Sequence, residues 1–113
     1  MDTRLETKLW LDGHLRRLSA QGQAYTIVHK GDPSRGSVVL KLNLGRLDGC
    51  RLYSQAYNGN GKLGWLPALE SRTVPEEEAD SYLQRLTARD PDVWVVEIDS
   101  RDGLPPFHDQ PIG

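Results

Sequence analysis

With 113 residues, 37% of them hydrophobic and 27% charged, the chain is sized for one domain and too polar for a membrane protein. Its formal net charge of −2 gives no general case for a nucleic-acid partner. No apolar run approaches the roughly 20 residues that span a bilayer. A chain of this size buries about two-thirds of its unfolded surface, enough for a core without staples. The first residues carry charges where a secretory signal needs an apolar stretch. Cys50 is the single cysteine, which allows no internal disulfide. A reducing cytosol is therefore the expected compartment. Charge is unevenly spread: residues 1–58 hold nine Lys/Arg and five Asp/Glu, residues 59–113 five and eleven. Either the halves fold together and mix their charges, which is the plainer expectation, or one side stays basic.

From Arg4 to Leu11 two patterns compete. Leu5, Thr7, Leu9 and Leu11 alternate as on a strand, whereas Leu11, Leu15 and Leu18 recur as on a helix. Length favours a helix from about Leu9 to Ala20, with Gly22 as its left-handed cap. Trp10 sits at the core edge and His14 is expected as a partly buried packing residue, with no metal-type residue one turn away. Tyr25–His29 and Ser37–Asn43 then flank the turn residues Gly31–Gly36, a β-hairpin pattern with a longer loop. Val38, Leu40 and Leu42 share one face of the second strand; Val39, Lys41 and Asn43 share the other.

Asp48-Gly49 marks a turn, and Cys50–Tyr57 alternates as a third strand, so an antiparallel meander is expected. Cys50 reads as a small core residue. Asn58–Gly64 holds three glycines but lacks the Gly-Lys-Ser/Thr ending of a phosphate loop, and reads as a connector. Trp65 follows it, placed either over the sheet edge or out towards a partner. Thr73-Val74-Pro75-Glu76 has the form of a capping box opening a second helix, with Ala79, Tyr82, Leu83 and Leu86 as its apolar stripe and Asp90-Pro91 as its stop. Its acidic start is accounted for by the helix dipole. The run Val93–Val96 predicts a strand covered on both faces. Three prolines among the last ten residues indicate a loose tail.

The expectation is one α+β domain over residues 1–103 with a flexible Pro-rich tail at 104–113. In it a helix, a three-stranded antiparallel meander, a second helix and a final strand follow in order. Whether the helices cover one sheet face or both stays open, with Val93–Val96 leaning towards both.

The three histidines (His14, His29 and His108) and Cys50 have no metal-ligand spacing, and no nucleophile elbow or dinucleotide fingerprint is present, so no cofactor or metal is expected. The order Leu9-Trp10-Leu11, Leu15-Arg16-Arg17, Lys30-Gly31-Asp32 with Gly36, Val39–Asn43, Val74–Leu83 and Asp90–Asp99 resembles a family of short bacterial proteins defined only as a domain of unknown function. The resemblance runs over residues 4–103. It implies a stand-alone cytosolic bacterial protein and brings no activity, ligand or catalytic residue with it.

Three function classes remain. The favoured one is a non-catalytic binding or adaptor protein that meets a protein or anionic partner through Arg16, Arg17, Lys41 and Arg51. The second is a weak single-stranded nucleic-acid binder using Tyr53, Tyr57 and Trp65, which the acidic total disfavours. The third is an enzyme with an unrecognised site, for which Asp32 is the first suspect; turn chemistry is the plainer account of that residue. Lys41 interrupts an apolar strand. It must reach water or a carboxylate, and an internal pair with Glu97 is slightly favoured over a surface role.

Overall fold

The last strand in the sequence lies inside the sheet, between the first and the second. The structure, a computed structural model, describes residues 6–57 and 63–107. Its elements are α1 (Thr7–Ala20), β1 (Tyr25–His29), β2 (Val38–Asn43), β3 (Cys50–Tyr57), β4 (Leu63–Pro67), a short 3-10 turn (Leu69–Ser71), α2 (Glu76–Arg89) and β5 (Trp94–Asp99). The strands lie in the order β1-β5-β2-β3-β4. β5 runs antiparallel to β1 and parallel to β2, with Val95 opposite Val39 and Glu97 opposite Lys41. β3 pairs antiparallel with β2 on one side and with β4 on the other.

The fold is thus α+β with a mixed sheet, and the expected three-stranded meander is corrected. β1 and β2 are not a hairpin, because β5 lies between them. Two strands joined by a loop show the same local pattern whether they touch or leave room for a third. The loop between them, residues 30–37, passes over the start of β5 instead of closing a turn. Asp32 N–H donates to the Asp92 carbonyl, Trp94 N–H to that of Ser37, and the Trp94 indole to that of Asp32. Gly31 and Gly36 permit this approach, since a Cβ at either would run into the Asp92 backbone.

Each face of the sheet carries one helix. On one face Leu11, Leu15 and Leu18 of α1 pack on Val38, Leu40, Leu42, Trp94, Val96 and Ile98. On the other, Ala79 and Leu83 of α2 pack on Val39, Cys50, Leu52, Val93 and Val95. The doubly apolar start of β5 follows from this, as both its faces are covered.

The helix ends use different devices. α1 closes as expected, with Gly22 at φ 78° and bonds from Gly22 N–H to Ser19 O and Gln23 N–H to Leu18 O, a Schellman arrangement. At its start, the Pro33 and Ser34 carbonyls accept from Lys8 and Thr7 N–H. The expected capping box of α2 does not form. Thr73 accepts from Arg51 instead, Val74 exchanges two backbone bonds with Cys50, and Pro75 stands at the cap.

Two aromatic positions differ from expectation. Trp65 lies within β4, and its indole N–H donates to the Phe107 carbonyl. Phe107, in the stretch read as a loose tail, is 4% exposed and belongs to the α1-side core. It stacks on the buried His14 ring with centroids 4.5 Å apart and meets Trp10 and Trp65 edge-on. His14 is wholly rather than partly buried. The rest of that tail, 108–113 with His108, lies outside the described residues, as does most of the 58–64 connector.

Trp94 anchors the loop and the core together. Trp94→Ala should cost about 3–5 kcal/mol of stability, as large core truncations do. Leu47→Ala, on an exposed turn, should stay within about 0.5 kcal/mol. Urea unfolding of both variants against the parent checks this.

Candidate functional site

The residues expected to form a basic patch fall on different parts of the molecule. Arg16 and Arg17 are exposed on α1. Arg51 lies on the α1 side of the sheet, where its side chain runs along Gly103 and its Nε–H donates to Thr73 Oγ1 at 2.8 Å. Lys41 faces the other way, towards α2, and is 3% exposed. Its ammonium donates to Glu76 and Asp80 at 2.8 Å each and lies 3.1 Å from Glu97. Burial strips water from Lys41 and pulls its pKa down, but the bonds to Asp80, Glu76 and Glu97 outweigh this and hold it well above the ordinary lysine value. The internal partner Glu97 is present, joined by two carboxylates from α2. Lys41 is therefore closed to an outside anion.

The aromatic set is dispersed as well. Tyr53 packs against the α1-side core and donates its hydroxyl to the Gly103 carbonyl. Trp65 is engaged with Phe107, and the Tyr57 side chain lies outside the described residues. Asp32 holds a turn: one carboxylate oxygen accepts from the N–H groups of Ser34 and Arg35, at 2.8 and 3.1 Å. Cys50 is buried, and its loss of solvent raises the thiol pKa, the reverse of an activated cysteine. Among the described residues no group of His, Cys, Asp and Glu is placed to hold a metal ion.

What the fold does assemble is the end of the sheet where the parallel pair stops. β2 and β5 finish side by side at Asn43 and Asp99. Ser100 N–H donates to the Asn43 carbonyl, and Gln23, just past α1, donates its side-chain amide to the Asp99 carbonyl. Asn43 itself spans Glu97 and the Gly45 N–H. These chain ends enclose an open groove of about 760 Å³, lined by Ala24, Asn43, Leu44, Asp99, Leu104 and Pro105 among others. The position, outside the carboxyl ends of parallel strands, is where α/β sheets bind ligands. A second concavity of about 640 Å³, lined by Thr73, Pro75 and Glu77, lies against the β2–β3 turn as well.

Between the two concavities stands the β2–β3 turn. Asp48 and Gly49 N–H both donate to Gly45 O, and Leu44 N–H donates to Gly49 O. Gly49 has φ 88°, and a Cβ there would strike the Val74 carbonyl. This hydrogen-bonded turn holds out Leu47, which is 97% exposed. Leu104, on the groove, is also exposed. Reading the turn only as Asp48-Gly49 missed Leu47, and reading 104–113 as a loose tail missed Leu104. The available signal was a leucine at the centre of Gly45-Arg46-Leu47-Asp48-Gly49, too tight a turn to fold its side chain back on the core.

Comparison with known proteins finds relatives of the same fold. A family model described as "Protein of unknown function (DUF1491)" matches residues 5–108. The crystal structure of a DUF1491 family protein from Caulobacter crescentus CB15 is 37% identical over 89% of this chain and 92% of its own, with a TM-score of 0.75. The NMR structure of a DUF1491 family protein from Caulobacter crescentus CB15 is 36% identical, covers 91% and 92%, and has a TM-score of 0.73. The solution structure of protein Atu0922 from A. tumefaciens is 25% identical over 98% and 100%, with a TM-score of 0.72. No curated protein matches.

The Lys41 cluster yields a test with a definite sign. Lys41→Met leaves three carboxylates without their cation, and should cost about 2–3 kcal/mol at neutral pH, below the figure for a wholly buried pair because two of the acids are half-exposed. Because the folded-state pKa is raised, the lysine contribution is fully present below the ordinary value of about 10.4 and fades as pH climbs above it. The gap between parent and variant in urea should stay constant from neutral to mildly alkaline solution and narrow only beyond that value.

Proposed function

We infer that this chain, which belongs to the DUF1491 family of proteins of unknown function, is a binding module that grips a partner protein at the end of the sheet where β2 and β5 stop. The observation that carries this reading is Leu47, an apolar side chain held fully in solvent by an ordered turn between two concavities. A single exposed leucine is ordinary on a protein surface. Leu47 differs in its setting: the turn is fixed by its own hydrogen bonds, so little ordering is lost when the side chain enters a partner's pocket. Leu44, Leu104 and Pro105 extend the apolar contact into the groove, while Asn43, Asp99 and Gln23 give it a polar floor and edge. Apolar anchors framed by polar groups are the usual make-up of a protein-binding surface.

Burying one leucine side chain contributes about 1.5–3 kcal/mol. Leu47→Ala should therefore weaken partner binding by one to two orders of magnitude while the melting temperature holds. A photo-crosslinking residue at position 47, used in the native cell, should capture one defined protein, and the same residue at Val28 on β1 should not. Equal capture at both positions, or unchanged affinity of the captured protein for Leu47→Asp, defeats the reading.

A further inference from the structure

Beyond β5 the chain leaves the sheet. Ser100 N–H donates to the Asn43 carbonyl, and among the described residues this is the last backbone-to-backbone bond the chain makes. Residues 101–107 then cross the α1 face on side-chain contacts alone. The Tyr53 hydroxyl donates to the Gly103 carbonyl and the Trp65 indole to that of Phe107. The Gly103 and Leu104 N–H groups are satisfied locally, by Ser100 Oγ and the Asp102 carboxylate. A segment held in this way opens without breaking any ladder bond, so the sheet stays closed beneath it.

The segment carries a hinge, a wall and a latch in that order. Gly103 stands at φ 70°, in the left-handed region that glycine enters without strain. Leu104, Pro105 and Pro106 line the groove at the end of β2 and β5, together with Gln23, Ala24 and Leu44. Phe107 is buried among the rings of Trp10, His14 and Trp65, none of which lines that groove. Leu104 is exposed, so Phe107 is the large apolar side chain that offsets the entropy of ordering the segment. Pro105 and Pro106 hold φ at about −65°, which makes the link between the seated ring and the groove wall stiff.

Resting on the reading of that groove as a partner site, we propose that residues 101–107 are a strap that swings on Gly103 independently of the sheet, and that the groove is complete for its partner only while Phe107 is seated among the three rings. Burial of one phenylalanine ring favours the seated strap roughly ten- to a hundredfold. Release carries Leu104 and Pro105 away from Leu44 and removes the apolar contact that the partner uses. Partner affinity then scales with the seated fraction. The coupling is reciprocal, since a partner that grips the wall keeps Phe107 in its pocket. Phe107 is thus a positioning residue, which acts through Leu104 and Pro105 and does not itself line the groove.

Native-state hydrogen exchange of the full chain tests the strap without a partner or a variant. The Trp65 indole proton and the Gly103 amide should exchange through one common opening, roughly tenfold or more faster than the β5 amides and with little dependence on urea. Exchange of both at the rate of the β5 amides overturns the proposal. The protein captured through position 47 then reads the coupling. Phe107→Ala should weaken its binding roughly tenfold, and Phe107→Leu, which keeps an apolar latch, should recover most of the loss. Adding that protein to the parent chain should slow the Trp65 indole proton, which it does not cover, because Trp65 lies outside the groove. Binding indifferent to Phe107→Ala, or an indole proton indifferent to the captured protein, also overturns the proposal. Failure to capture any protein at position 47 defeats the partner reading and the control of the groove with it, and exchange in the parent chain then decides the motion of the strap alone.

Discussion

The sheet depends on one strand that arrives last and lies between two earlier ones. β5 pairs with β1 on one side and β2 on the other, and its side chains enter both cores, Trp94, Val96 and Ile98 towards α1 and Val93 and Val95 towards α2. Without it β1 has no neighbour. The loop before β2 loses the Asp92 backbone on which it rests, and the two apolar layers lose their shared wall. A strand contacted from four directions leaves little choice of residue, which is why its run of β-branched and aromatic side chains is continuous.

That same strand sets what was legible beforehand. Periodicity is a local property, and the local elements read well: the leucine stripe of α1 with its glycine cap, the alternation of β2 and β3, the stop of α2 at Asp90-Pro91, and a doubly covered last strand. Strand order is not local. Tyr25–His29 and Val38–Asn43 look like a hairpin because nothing near them in sequence says that residues ninety-odd will come between. β4 was passed over because five residues bounded by glycines and a proline are too short to show a period, and Trp65 was left without its strand. Phe107 was hidden among prolines, yet its ring reaches His14. The capping box failed for a tertiary reason, since Val74 is drawn into a bridge with Cys50 and Thr73 follows it.

The charge asymmetry has its explanation in Lys41. A lysine from the basic half reaches Glu76, Asp80 and Glu97, all from the acidic half. Strand alternation made Glu97 findable, as it lies opposite Lys41 in the parallel pair. Glu76 and Asp80 required knowing that the first turns of α2 lie over β2. The cluster also ties α2 to both central strands at the point where its apolar stripe runs out, so part of what appeared as an outward-looking surface is an internal fastening. The outward feature is apolar: Leu47 on its turn.

The loop over β5 has a consequence for how the chain comes apart. A central strand joined to the rest only at its two ends, with a hydrogen-bonding neighbour on each side, occupies a slot. If β5 is withdrawn, the edges of β1 and β2 that face each other are left with unpaired backbone groups pointing inward across a strand-wide gap, and both helices are left leaning on a divided sheet. Repair from that state does not require refolding everything. It requires one extended segment with apolar side chains on both faces and an acid at the position that meets Lys41. Loss of β5 is therefore among the costliest openings of this protein rather than the first, and the surface it would expose is a template that admits few sequences besides its own.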